Sequence, residues 1–167
     1  MLIRGKSEEE KMEPLQLPEV LQIGVVVQNL EKVVKFYSKH FGLGSWRIIV
    51  NEHKPYAIVR GKKTPYTHKM AITRLPPFEF ELMEVIKGPC IYKEHLEIKG
   101  EGVHHMKFHV QDLEEEIQKY KKHGFKVLQS MYNAQGGFAM MDTDKVGGIV
   151  FELVGPSPSL AEKTEKT

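Results

Sequence analysis

The segment VQNLEKVVKFYSKH at residues 27–40 recurs as VQDLEEEIQKYKKH at residues 110–123, without a gap and with about half of its positions identical. An ungapped match of that kind inside one chain marks a duplicated unit, so both halves must adopt the same local fold. Asn29 and Asp112 open the two copies with side-chain oxygens suited to accept the first free backbone N–H groups of a helix. Asp112 with Glu115 also has capping-box spacing. Leu30, Val33, Val34 and Tyr37 share one helical stripe, as do Leu113, Ile117 and Tyr120. Strand-like runs surround each helix: LQIGVVV, SWRIIV, HKMAITRL and FEFELMEV in the first half, VHHMKFHV, FKVLQSMY, GFAMMDT and GIVFELVG in the second. Each half reads strand, helix, strand, strand, strand. One helix cannot cover both faces of four strands, so the reading predicts an α+β fold in which two tandem βαβββ modules form a curved mixed sheet, helices outside and a cup inside.

The expected boundaries are an N-terminal arm at 1–19, a first module at 20–88, a linker at 89–102, a second module at 103–155 and a C-terminal tail at 156–167. The arm is charged and broken by prolines, which suits a loose or edge-covering segment. Residues 52–65, EHKPYAIVRGKKTP, read as a connection able to cover one side of the cup. With 24 basic and 22 acidic residues the formal net charge is +2, which leaves no broad electrostatic footprint for nucleic acid. The single cysteine, Cys90, excludes an intrachain disulfide, and no apolar run is long enough to cross a bilayer. A cytoplasmic protein acting on a small molecule is expected, with no nucleic-acid or membrane partner.

Alternation along GEGVHHMKFHV, residues 100–110, sorts its three histidines. Met106, Phe108 and Val110 share the helix side, with His104 among them, while His105, Lys107 and His109 face the cup. The repeat offset maps His105 onto Gln22. FELM at 80–83 and FELV at 151–154 match each other as closing strands, and each holds one carboxylate, Glu81 and Glu152, among apolar neighbours. A lone histidine in a strand is ordinarily a hydrogen-bonded packing residue, and a lone strand carboxylate an edge gatekeeper. Four polar groups at repeat-related positions on one inner face argue instead for a metal site. Gln22, Glu81, His105 and Glu152 supply O, O, N and O donors, and two carboxylates neutralise a divalent cation. His104 is expected only to pack, and Lys107 and His109 to line the cup or face solvent.

These residues carry a resemblance. GEGVHHMKFHVQDLEEEIQKYKKHGFKVL, the closing GGIVFELVG and the duplicated unit resemble the vicinal oxygen chelate superfamily, over roughly residues 20–155. FELMEV followed by KGEGVHHMKFHV is most similar to its methylmalonyl-CoA epimerase and glyoxalase-like branch. The resemblance implies a divalent ion (zinc, cobalt, nickel or manganese) at Gln22, Glu81, His105 and Glu152, and Glu152 as catalytic base. Gln22 stands where typical epimerases have histidine and some glyoxalases I have glutamine. An epimerase needs a second acid/base on the opposite face of the substrate, and Glu52 is the nearest residue for it. The activity implied is epimerisation of a small acyl thioester through an enolate, with lactoylglutathione lyase activity and non-catalytic binding of the bleomycin-resistance type as alternatives. Arg60, Lys62 and Lys63 read either as contacts for coenzyme A phosphates or as a solvated turn. A homodimer is expected, from the edge strands of each module.

Overall fold

The computed structural model describes residues 12–133 and 136–157 and, within them, every side chain but those of 52–56 and 133. The outer parts of the expected arm and tail, 1–11 and 158–167, lie outside the described residues. In chain order the elements are β1 (Val20–Val26), α1 (Leu30–Phe41), β2 (Arg47–Val59), β3 (Lys62–Leu75), β4 (Phe78–Lys87), α2 (Ile91–Lys99), β5 (Gly102–His109), α3 (Leu113–Lys122), β6 (Val127–Asn133), β7 (Gly136–Met141) and β8 (Val150–Gly155). Each half runs strand, helix, strand, strand, strand, and the strands form a curved sheet. No described helix is long and apolar enough to cross a membrane.

Asn29 Oδ1 accepts the Lys32 N–H at 2.9 Å and Asp112 Oδ1 accepts the Glu115 N–H at 3.0 Å, so both repeated helices start at their capping residues. Their apolar stripes pack on the outside of the sheet. Leu30, with Val33, Val34 and Tyr37 around it, meets Ala71 and Leu82. Leu113, Ile117 and Tyr120 meet Ala139, Met141 and Leu153, and Leu15 of the N-terminal arm packs against the same cluster. Full burial of side chains of this size contributes about 1.5–3 kcal/mol each, which is what holds the helices to the sheet.

The sheet closes on itself in the order β1-β4-β3-β2-β6-β7-β8-β5. At the seam between modules β1 runs antiparallel to β5, with Gly24 opposite His105 and Gln22 opposite Lys107. Parallel pairs β1 with β4 and β5 with β8 flank it. Closure on the far side is slight, resting on Ile58 opposite Ser130 and Val59 opposite Gln129. Most of β2 is therefore unpaired on that side, and Ile48 and Val50 of this stretch are exposed.

Two segments differ from the sequence reading. Residues 52–65 are not a separate connection: β2 continues to Val59 and turns tightly into β3 through Arg60 and Gly61, with φ of 48° and 78°. Two successive residues of positive φ suit the strand twist of a tight hairpin. The ladder shifts register between the pairs Lys54–Tyr66 and Ala57–Thr64, which is where Pro65 falls. The segment 89–102, read as a linker, holds α2. Its Ile91 and Tyr92 enter one end of the ring and pack with Val26, Tyr66, Met83, Met140 and Val150. Buried Gln129 clamps that plug, accepting the Ile91 N–H at 3.2 Å and donating to Tyr66 Oη at 3.0 Å. The ring is thus stoppered at one end and hollow at the other.

Candidate active site

The hollow end is a cavity of about 590 Å³. Ile49, Met70, Met131, Phe138 and Val154 give it apolar walls, and Arg47, His68, Glu81, Lys107, His109 and Glu152 supply its charged and titratable groups. The wall is built by alternation: every second residue of β3, β5 and β8 faces inward. Glu81 is 3% exposed, Glu152 6% and His105 0%. Charge at that depth is costly unless something compensates it.

The strand register brings three of the expected groups together. His105 Nε2 lies 3.4 Å from Glu81 Oε2 and 3.3 Å from Glu152 Oε2. Gln22, 2% exposed, sits beside them on β1, where its amide donates to Glu79 Oε2 at 3.2 Å. Gln22 Oε1, His105 Nε2 and Glu152 Oε2 are all buried without a hydrogen-bond partner. Each can present a lone pair, and a divalent cation can satisfy several lone pairs at once. Leaving such atoms unsatisfied costs about 1–3 kcal/mol apiece. Among the described residues no group of three or more His, Cys, Asp or Glu side chains is placed to hold a metal ion. Ligands about 2.1 Å from one ion are, however, about 3.0–3.4 Å from each other, and both His105 separations are on that scale. With two carboxylates, an imidazole nitrogen and an amide oxygen, the donor set fits a divalent ion in its chemistry.

Lys107 is closer to the centre than its expected cup-lining role suggests. Its Nζ lies 3.3 Å from Glu152 Oε2. Burial alone would lower the Lys107 pKa, but the charges of Glu152 and Glu81 outweigh it and raise it. Burial likewise would raise that of Glu81, yet hydrogen bonding to His105 and the charges of Lys107, His105 and His68 hold it below the usual carboxylate value.

Alternation misplaced His104. Gly24 pairs with His105 and Val25 with Val103, so His104 is an extra residue in β5. Such a bulge bends the strand and re-aims the side chain. His104 Nδ1 consequently lies 3.1 Å from His105 Nδ1, and His104 is itself 2% exposed. His68 was not singled out from the sequence at all. It is buried on the inner face of β3, stacks on Tyr66 with ring centroids 5.1 Å apart, and has Asn51 Nδ2 3.0 Å from its Nε2. Its signal is the alternation Tyr66, His68, Met70, Ile72, which continues the strand run HKMAITRL back towards the turn. β3 and β8 are four places apart in the ring of eight, so His68 and Glu152 stand on opposite walls. The side chain of Glu52 lies outside the described residues.

The basic turn is not part of this cavity. Arg60 joins β2 to β3 near the stoppered end and binds Glu94 of α2, with Nη2 to Oε2 at 2.6 Å and Nε 3.2 Å from both carboxylate oxygens. Neither Arg60, Lys62 nor Lys63 lines the cavity.

A sequence profile of the glyoxalase/bleomycin resistance protein/dioxygenase superfamily matches residues 21–141. Comparison with curated proteins finds no match. Among solved structures, a methylmalonyl-CoA epimerase from Mycobacterium tuberculosis superposes with a TM-score of 0.63 at 19% identity, over 93% of this chain and 99% of that one. A Streptomyces coelicolor methylmalonyl-CoA epimerase in complex with 2-nitronate-propionyl-CoA gives 0.62 at 20%, over 84% and 99%. A hypothetical protein from Bacillus halodurans gives 0.60 at 19%, over 83% and 94%. At such identities the likeness concerns the fold.

Proposed function

The chain belongs to the glyoxalase/bleomycin resistance protein/dioxygenase superfamily, and from that premise we propose that it is a metal-dependent epimerase of a small acyl thioester. The observation that carries the reading is the convergence of Glu81 and Glu152, which line the cavity, on buried His105 Nε2, with Gln22 Oε1 buried and unpaired on the adjoining strand β1. Gln22, Glu81, His105 and Glu152 would hold a divalent ion, whose chemistry is to draw electron density from a substrate carbonyl and so lower the barrier to an enolate.

Glu152 is the base. Its carboxylate borders the cavity and takes the proton from the carbon beside the thioester carbonyl, while Lys107 Nζ pairs with it at 3.3 Å. Inversion requires a proton to return from the other face. Glu52 was expected in that role; among the described lining residues His68 meets the requirement, because its strand lies across the ring from that of Glu152. A group on each wall can remove a proton from one face and return one to the other. The apolar walls formed by Ile49, Met70, Met131, Phe138 and Val154 suit a short acyl chain, and Arg47 supplies positive charge for an anionic substituent. Epimerases of the same fold, whose solved structures include complexes with methylmalonyl-CoA and with 2-nitronate-propionyl-CoA, support the thioester class. The unpaired length of β2 with exposed Ile48 and Val50 supports self-association as a homodimer.

The test is metal analysis of protein purified without chelator, followed by exchange of the α-proton of methylmalonyl-CoA in deuterated water. Bound or readily acquired divalent metal together with metal-dependent exchange is expected. Protein that neither holds nor acquires metal would be a binder. Metal without exchange, but with turnover of methylglyoxal and glutathione, would make it a lyase.

A further inference from the structure

Two adjacent histidines are both buried, and only one of them belongs to the proposed metal site. We propose that His104 is a positioning residue: it accepts a hydrogen bond from His105 Nδ1–H and so keeps His105 Nε2 as a bare lone pair aimed at the metal. This rests on the metal site proposed above. The two Nδ1 atoms are 3.1 Å apart, and in a nitrogen-to-nitrogen hydrogen bond one ring must donate and the other accept. The surroundings decide which. An ion on Nε2 takes that nitrogen's lone pair, so in the loaded site the His105 ring proton sits on Nδ1, 3.1 Å from His104 Nδ1. With the proton on Nδ1, the same ring has an acceptor in His104.

His104 can take the complementary form. Its proton then sits on its other nitrogen, and its ring borders a separate cavity of about 90 Å³ at the stoppered end, made polar by Arg60, Glu94, Lys99 and Asp144. The ring is fixed from several sides, with edge contacts to Tyr92 at 5.0 Å and to His95 at 5.1 Å between centroids. On the far side of the pair, the His105 ring fills the space over Gly24. The bulge in β5 is what makes this arrangement possible, because regular alternation would put the two rings on opposite faces. Metal-bound histidines elsewhere are oriented in the same manner, by a carbonyl, carboxylate or water on the second nitrogen, and loss of that partner typically weakens metal binding about 10–100-fold. A neutral histidine as the partner accepts the hydrogen bond without adding negative charge to a floor that already holds two carboxylates.

The test uses the full chain, as wild type and as His104→Asn and His104→Phe, with two readouts. In nitrogen-15 imidazole spectra of the zinc-loaded protein, wild-type His105 is expected to show an Nδ1–H hydrogen-bonded to the His104 ring, which is the form read in the variants. Asparagine places an oxygen near the former Nδ1 and should retain that form; phenylalanine offers no acceptor and should lose it. Zinc affinity, by competition with a chromophoric chelator, should fall about 10–100-fold in His104→Phe and return to within a few-fold of wild type in His104→Asn. A zinc-loaded wild-type His105 whose Nδ1–H makes no hydrogen bond to His104 would overturn the proposal, and that measurement depends on no variant. Equal zinc affinity in His104→Phe and wild type would overturn it too. If wild-type protein takes up no zinc, the proposed function fails and the role of His104 falls with it; zinc uptake together with either of the two results above fails the role of His104 alone.

Discussion

The ring of His105 occupies the space over Gly24 of the neighbouring strand, so closely that a β-carbon added at Gly24 would fall among the ring atoms. The glycine is there for room and not for an unusual backbone angle. Gly24→Ala is therefore expected to push His105 off the two carboxylates and to destabilise the fold by about 1–3 kcal/mol, the usual cost of overpacking. Urea denaturation and metal uptake would both register the change, and wild-type values for both would refute the packing.

Glu152→Gln keeps the shape of the side chain and removes its basicity. The rate of α-proton exchange should fall by about 10²–10⁴-fold, the usual worth of a general base. Metal content measured on the same preparation separates loss of the base from loss of the ion.

His68→Phe should separate two events that the wild-type enzyme couples. With Glu152 intact, one epimer still exchanges its α-proton with deuterated solvent, whereas conversion to the other epimer falls by about 10²-fold or more. If conversion and exchange decline together, or neither changes, His68 is not the second acid/base.

The depressed pKa of Glu81 makes a pH-dependent contribution of definite sign. A carboxyl that is more acidic in the native state stabilises it fully above its unfolded pKa of about 4.3, and that stabilisation is lost as pH falls through the lower native value. In metal-free protein, the stability difference between wild type and Glu81→Gln should be constant near neutrality and shrink as pH falls below the unfolded value. Urea midpoints across that range measure it. A difference that widens on acidification would mean the native pKa is raised.

Gln129→Leu removes both bonds that fasten α2 into the ring, to Ile91 N–H and Tyr66 Oη. The buried partners are left unsatisfied, with an expected loss of about 1–3 kcal/mol. Amide hydrogen exchange should show α2 opening before the strands.

Much of the site is legible in the sequence because two periodicities coincide there. The duplication aligns Gln22 with His105 and Glu81 with Glu152, and strand alternation then turns all four inward. Where alternation breaks, the reading breaks with it. His104 was assigned to the helix side because a one-residue bulge leaves no mark on the residue pattern. His68 opens the run HKMAITRL and carries no repeat-related partner to mark it, while residues 52–65, with two prolines and four lysine or arginine residues, look like a loop until the turn is recognised at Arg60 and Gly61. The apolar spacing of Ile91, Tyr92 and Leu96 suits a helix, but so short a segment between Gly88 and Gly100 gives a weak signal.

The sequence by itself determined the two modules, their capped helices and the side of each strand on which the carboxylates and His105 fall, since these follow from neighbours a few residues apart. Only the tertiary structure decided that the ring closes between β2 and β6, that α2 stoppers one end, that Lys107 binds Glu152 and that His68 stands across from it. Those relations depend on which strands become neighbours and in what register, and they are selected by the packing of the whole chain against the entropy of closing long loops.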